Sequence, residues 1–154
     1  MELDWARGDV IVADGVEVAR AERSWFRERA EVQIGPELWL YRATGGWTWS
    51  SLVAEVDGVE RLHAQRSGFF ANRWTITGGP ETYEITTSGF WGARLAISRA
   101  GSQVGEARTS GFFTTRSRIE LTEPVTPQVG CFLLWVSFVE FTRRAQTNGA
   151  GAAT

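Results

Sequence analysis

All 16 basic residues of this chain are arginine, and they recur close to aromatic side chains. Arg27 and Arg29 follow Trp25, Arg73 follows Phe70, Arg116 and Arg118 follow Phe113, and Arg143 and Arg144 follow Phe141. A guanidinium is planar, forked and always charged, so it grips phosphate or carboxylate oxygens two at a time. A tryptophan beside it suits the boundary between water and lipid. The chemistry this pattern offers is therefore recognition of an anion. The plainer reading is that arginines at strand ends are simply solvated, and a GC-rich genome explains the lack of lysine.

Other reactive side chains do not assemble into a catalytic set. His63 is the only histidine, so no histidine pair for a metal is available, and a lone histidine on a strand is more often at the surface or hydrogen-bonded in the core than a general base. Glu28 with Glu31, and Glu81 with Glu84, carry no spacing that would place two carboxyls across one pocket. Cys131 is the single cysteine and sits within an apolar run, where a thiol behaves as a small hydrophobe. Glu140 is the odd acid, one turn from the end of that run and in reach of Arg143 or Arg144. No glycine-rich phosphate loop opens a helix. The expectation is a non-enzyme with no catalytic residue, no metal and no cofactor.

The elements that would position the arginines follow from periodicity. Ser24-Trp25-Phe26, Ser67-Gly68-Phe69, Ser88-Gly89-Phe90 and Ser110-Gly111-Phe112 repeat one pattern, and the doubled first gap points to Trp47 as a missing member. One further step back reaches Trp5, giving six aromatic anchors at a period of about 21 residues, the length of one supersecondary unit. About ten residues past each anchor comes a turn signal: Asp14-Gly15, Gly35-Pro36, Asp57-Gly58, Gly78-Gly79-Pro80, Ala100-Gly101 and Glu123-Pro124. Alternation such as Val10, Val12 and Trp74, Ile76 marks half-buried strands on either side. Five hairpins, one more strand and residues 1 to 5 give about twelve strands, too many for a sheet that stays open.

Thr126-Pro127 then reads as the cap and first position of a helix. From Val129 to Phe141 its apolar residues go all the way round, so it must be enclosed on every side. At about 13 residues the run is too short to cross a bilayer comfortably, which takes roughly 20. A barrel wider than about eight strands needs something to fill it. The expected fold is therefore mainly β: a closed antiparallel barrel of about twelve strands around a central helix at 127–144. Residues 1–144 would form one domain, with 145–154 a disordered tail. A two-sheet sandwich with the helix on one face, and a lipocalin-like barrel with an external helix, are the alternatives.

The net charge of −2 gives no global basic field, which argues against nucleic acid as a partner. The start of the chain, MELDWARGDV, has no basic-then-apolar pattern of a secretory signal, so cytoplasmic residence is expected, with no transmembrane segment.

Hairpin repeats with aromatic anchors and a final apolar helix resemble the tubby C-terminal-like superfamily, which includes LURP-one-related proteins and phospholipid scramblases. The resemblance runs over about residues 3–144. It is carried by Gly15-Val16-Glu17-Val18-Ala19-Arg20 with Trp25-Phe26, by Ser88-Gly89-Phe90-Trp91-Gly92, and by the C-terminal helix. It implies twelve strands around that helix, and a binding or scaffolding role. The tubby headgroup site uses a lysine and an arginine, and this chain has no lysine. The acidic calcium segment and the palmitoylated cysteines of scramblases have no counterpart here either.

In the repeat register the anchors fall at one end of the barrel and the tight turns at the other. The anchor end collects the arginines, so Arg27, Arg29, Arg73, Arg116, Arg118, Arg143 and Arg144 are the candidate anion-binding residues. Their partner would be an anionic membrane surface, met peripherally, or an acidic protein surface. A protein-interaction domain without lipid, or a carrier of a small lipophilic ligand, are the competing readings.

Overall fold

The computed structural model describes residues 1–22, 25, 28–44, 50–67, 73–88, 94–111 and 116–152, with side chains as far as 147. Six strands make the first half: β1 (Glu2–Trp5), β2 (Val10–Ala13), β3 (Val16–Ala21), β4 (Arg29–Ile34), β5 (Glu37–Thr44) and β6 (Ser51–Val56). The second half has β7 (Val59–Ser67), β8 (Arg73–Thr77), β9 (Tyr83–Ser88), β10 (Arg94–Arg99), β11 (Ser102–Thr109) and β12 (Ser117–Leu121), followed by α1 (Pro127–Ala152). Each strand pairs antiparallel with its neighbours in sequence, and β1 closes the barrel on β12 through Leu3 opposite Ile119. This is the twelve-strand closed barrel that the repeat implies.

The turns explain the meander. Asp14 and Gly15 hold φ of 49° and 82°, Asp57 and Gly58 of 51° and 77°, and Ala100 and Gly101 of 51° and 80°. Two successive positive φ values give the tight hairpin turn whose twist matches that of the strands, which is why Asp-Gly recurs there. At Gly105 a Cβ would collide with the Glu120 carbonyl and with Leu121 Cδ2, so β11 and β12 meet there backbone to backbone.

α1 occupies the lumen. Cys131 through Val136, with Ser137, Val139 and Glu140, have no exposure, and Phe138 and Phe141 have very little. The Val129 amide reaches the Thr126 hydroxyl at 3.4 Å, and the Gly130 amide donates to the Thr126 carbonyl at 2.9 Å, so the helix starts where its cap was expected. Gly130 is tolerated inside a helix because Leu3 packs against it: a Cβ there would come within 2.9 Å of Leu3 Cδ2. Buried Ser117 of β12 donates to the Leu134 carbonyl, and Ser137 to that of Leu133 at 2.8 Å, so these polar groups are satisfied inside the core.

The tail differs from expectation. The helix does not stop at Arg144 before a disordered 145–154 but continues to Ala152, and Thr147 donates to the Arg143 carbonyl at 3.1 Å. A helix already fixed inside the barrel needs no new nucleus, so good formers such as Ala145 and Gln146 extend it one residue at a time. Residues 153 and 154 lie outside the described set.

Aromatic rings join wall to plug. Tyr41 of β5 lies 5.3 Å from both Phe132 and Trp135, and Trp25 lies 6.0 Å from Phe138 and 4.8 Å, edge-on, from Trp5. Tyr41 is fully buried, and its hydroxyl has no hydrogen-bond partner among the described residues. Burial, and secondarily the neighbouring Cys131, hold that hydroxyl's pKa well above its ordinary value. Tyr41→Phe removes the stranded hydroxyl without changing the ring, so a gain of about 1 kcal/mol in denaturant unfolding is expected. A loss of stability would mean that the hydroxyl is satisfied in solution.

Candidate functional site

The end of the barrel at which α1 leaves is where the arginines were expected. The strands that approach it finish at Trp5, Ala21, Thr44, Ser67, Ser88 and Thr109. The connections at 45–50, 68–72 and 89–93 carry no charged residue, and 110–116 carries only Arg116. The same four connections hold Trp47, Trp49, Phe69, Phe70, Phe90, Trp91, Phe112 and Phe113. Arg27 and the anchors Phe26, Trp47, Phe69, Phe90 and Phe112 lie outside the described residues.

Most of the candidates sit in ion pairs on the outer wall. Arg29 opens β4 and meets Glu31 at 3.1 Å, and Arg73 opens β8, 3.9 Å from Glu84. Arg116 bonds Asp9 and the Gly8 carbonyl, both at 3.0 Å, and lies 4.7 Å above the Trp5 ring. Arg118 pairs with Glu2 and comes within 3.9 Å of Asp4 and 3.7 Å of Glu120. Arg42 with Glu55, Arg94 with Glu106 and Arg108 with Glu120 extend the pattern. Register sets like charges opposite one another, as in Arg94, Arg108 and Arg118, but sign alternates along each strand, as in Glu106 with Arg108 and Arg118 with Glu120, so diagonal pairs neutralise much of the wall. These pairs are exposed and each contributes little to stability.

Arg143 and Arg144 are arranged differently. Both turn back onto Glu140, which has no exposure. Arg143 Nη2 lies 3.2 Å from Glu140 Oε1 and Arg144 Nε 3.1 Å from the same oxygen. Trp74, buried on β8, donates its indole N–H to Glu140 Oε2 at 3.0 Å. Arg144 also donates to the Thr87 hydroxyl at 2.6 Å. Burial pushes the Glu140 carboxyl up, but hydrogen bonds from Arg143 and Trp74 and the charges of Arg143 and Arg144 outweigh it and leave its pKa below the ordinary value.

Arg66, which is not among the seven candidates read from the sequence, lies near this cluster. It shares the inward face of β7 with buried Leu62 and Ala64 and pairs in register with Trp74. Burial first, then the charge of Arg143, lower its pKa, Glu140 raises it, and Arg144 lowers it further. The structure thus gathers Arg66, Arg143 and Arg144 around one carboxylate, while Arg29 and Arg73 stand apart on separate strands.

His63 has a partner that the sequence did not announce. Its Nε2 is 2.6 Å from the Ser51 hydroxyl across the β6–β7 hairpin. The Asp57-Gly58 turn alone would set His63 opposite Leu52, but a bulge between Ala54 and Glu55 moves it opposite Val53, on the face it shares with Ser51, so the contact was not legible from the turn.

The fold defines the class: a closed twelve-strand antiparallel barrel with a C-terminal helix in its lumen. None of the family models, curated proteins or solved structures compared with the chain matches it. Among the described residues, no helix is long and apolar enough to cross a membrane.

Proposed function

We propose that the protein is a non-enzymatic binding module that docks, by the end from which its helix emerges, onto anionic phospholipid headgroups. The observation that carries this reading is the composition of that end: four of its six connections hold no acid and are rich in tryptophan and phenylalanine, and Arg143 and Arg144 lie on the helix that leaves there. Arginine supplies attraction to a negative surface and the rings suit the headgroup layer. The outer wall carries charged pairs instead of an apolar band, which favours contact through the end over insertion of the wall. A lumen packed with helix side chains favours surface binding over carriage of a lipophilic ligand. Membership of the tubby C-terminal-like superfamily is part of the same proposal, supported by the barrel and its helix, as is a cytoplasmic, membrane-peripheral location.

Co-sedimentation with neutral and with anionic vesicles, at low and at moderate salt, tests it. Arg143 and Arg144 hold Glu140, so reversing their charge would disturb folding before binding. The exposed pair Arg29→Gln/Arg73→Gln avoids this. Binding to anionic vesicles alone is expected, weakened by salt, and reduced about 5-fold per removed charge. Equal recovery with neutral and anionic vesicles, or none with either, overturns the lipid reading and favours an acidic protein surface.

A further inference from the structure

Three of the hairpins carry the same irregularity. Val18, Arg61 and Val104 are the extra residues of three bulges, where Ile11 and Val12 face Ala19 and Glu17, Ala54 and Glu55 face Leu62 and Glu60, and Ile97 and Ser98 face Gly105 and Gln103. They are evenly spaced, two hairpins apart, so the barrel is built from three four-strand units, with β1 supplying the strand that the third unit lacks by pairing with β12. Two of the bulges hold valine, so the fold needs no charge at this position. The middle one holds Arg61, which is exposed and makes no hydrogen bond or ion pair among the described residues.

The middle unit also differs in what lies beside its bulge. There a cleft of about 310 Å³ opens between Arg61, the β8–β9 turn and the start of α1, where Thr126, Gln128 and Val129 line it. The clefts at the corresponding places, one lined by Val18 and Gly35 and one by Gln103 and Thr122, are lined by no residue of the helix. Gly78 seats the turn on the bulge, with φ of 99° and so little room that a Cβ would clash with the Arg61 carbonyl. A Cβ on Gly79 would stand 3.4 Å from Val129 Cγ2 and 3.5 Å from Leu62 Cδ2, so the missing side chain leaves these two apolar groups as a wall of the cleft. Glu37, half-buried at the start of β5, lines the same space, and its carboxylate likewise has no partner among the described residues. Trp39 lines it too, 4% exposed, with an indole N–H that has no acceptor among the described residues.

We propose that this cleft binds a free α-amino acid with an apolar side chain. Arg61 and the start of α1, where helix amides and dipole favour negative charge, take its carboxylate. Glu37 takes its ammonium, and Trp39, Leu62 and Val129 cover the side chain. A simple anion would meet Glu37 as a repelling neighbour and a simple amine would meet Arg61 as one, so a ligand carrying both charges suits the pair best. The site lies at the end where the helix enters, and it does not depend on the lipid contact proposed for the other end.

Calorimetric titration of the full chain with L-leucine tests it, beside 4-methylpentanoate, which lacks the ammonium, and 3-methylbutylamine, which lacks the carboxylate. Saturable binding of leucine is expected, with each analogue at least about 10-fold weaker, the worth of one charge-assisted hydrogen bond. Arg61→Val gives the middle bulge the residue of the other two, so it should fold as the wild type does and lose about 10- to 100-fold of the affinity. Glu37→Gln should erase the preference for leucine over 4-methylpentanoate. Absence of saturable binding by both leucine and phenylalanine overturns the site. Full affinity in Arg61→Val, or 4-methylpentanoate binding as tightly as leucine, overturns the proposal as well. The analogue comparison uses the wild-type protein alone, so it decides the question even if a variant does not fold.

Discussion

Glu140→Ala is expected to destabilise the protein by about 3 kcal/mol, because it removes a buried carboxylate that partly buried arginines and a buried indole hold in place. Arg143 and Arg144 lose their common partner, Trp74 loses the acceptor of its indole N–H, and Arg66 loses the acid whose charge acts on it. Glu140→Gln keeps the shape and the Trp74 hydrogen bond but removes the charge, so it should fall between the alanine variant and the wild type. The pH dependence separates charge from packing. The folded carboxyl titrates below its ordinary value, so its stabilisation is complete above the unfolded pKa of roughly 4.3 and is lost as pH falls through the lower folded value. Wild-type stability should therefore drop on the acid side by a component that Glu140→Gln lacks. Denaturant midpoints measured from neutral pH down to about pH 3 distinguish the two. Parallel curves for the two proteins would show that Glu140 is held by shape alone.

The same residue marks where sequence stops being informative. Turn chemistry was legible because positive φ selects residue types: Asp14-Gly15 and Asp57-Gly58 announce their hairpins directly. The helix start at Thr126-Pro127 was legible for the same local reason, and the all-round apolar run implied a lumen to hold it. Strand count and closure followed from length and repeat. Charge placement did not, because it depends on register between strands: Arg118 meets Glu2 across the seam between β1 and β12, and Arg42 meets Glu55 across β5 and β6. Reading the arginines as one positive end ignored the acids that alternate with them on the outer face. The contact between Trp74 and Glu140 joins a strand to the plug across 66 residues of sequence, and no local pattern encodes it. Of the seven rim candidates, Arg143 and Arg144 share Glu140, Arg29, Arg73, Arg116 and Arg118 meet other acids, and Arg27 lies outside the described residues.

Trp135→Ala is expected to cost about 3–5 kcal/mol, which for a domain of this size lowers the thermal midpoint by roughly 6 to 20 °C. Trp135 has no exposure, stacks on Phe132 at 6.2 Å and lies 5.3 Å from Tyr41 of the wall. The size of the effect follows from what a twelve-strand barrel lacks. A wall of about eight strands fills its own lumen with side chains, but a wider one leaves a central column empty, so the plug supplies packing that the sheet cannot. Removing an indole from that column opens a void with rigid walls, because the ring of strands is closed on β1 and β12 and has little freedom to collapse inward. Val59, 58% exposed on the outer wall, provides the comparison: Val59→Thr should change stability by less than about 0.5 kcal/mol. Thermal and denaturant unfolding of both variants measures the difference. A cost at Trp135 as small as that at Val59 would mean that the barrel stands without its plug, and the helix would then be free to serve as a mobile element of the binding end.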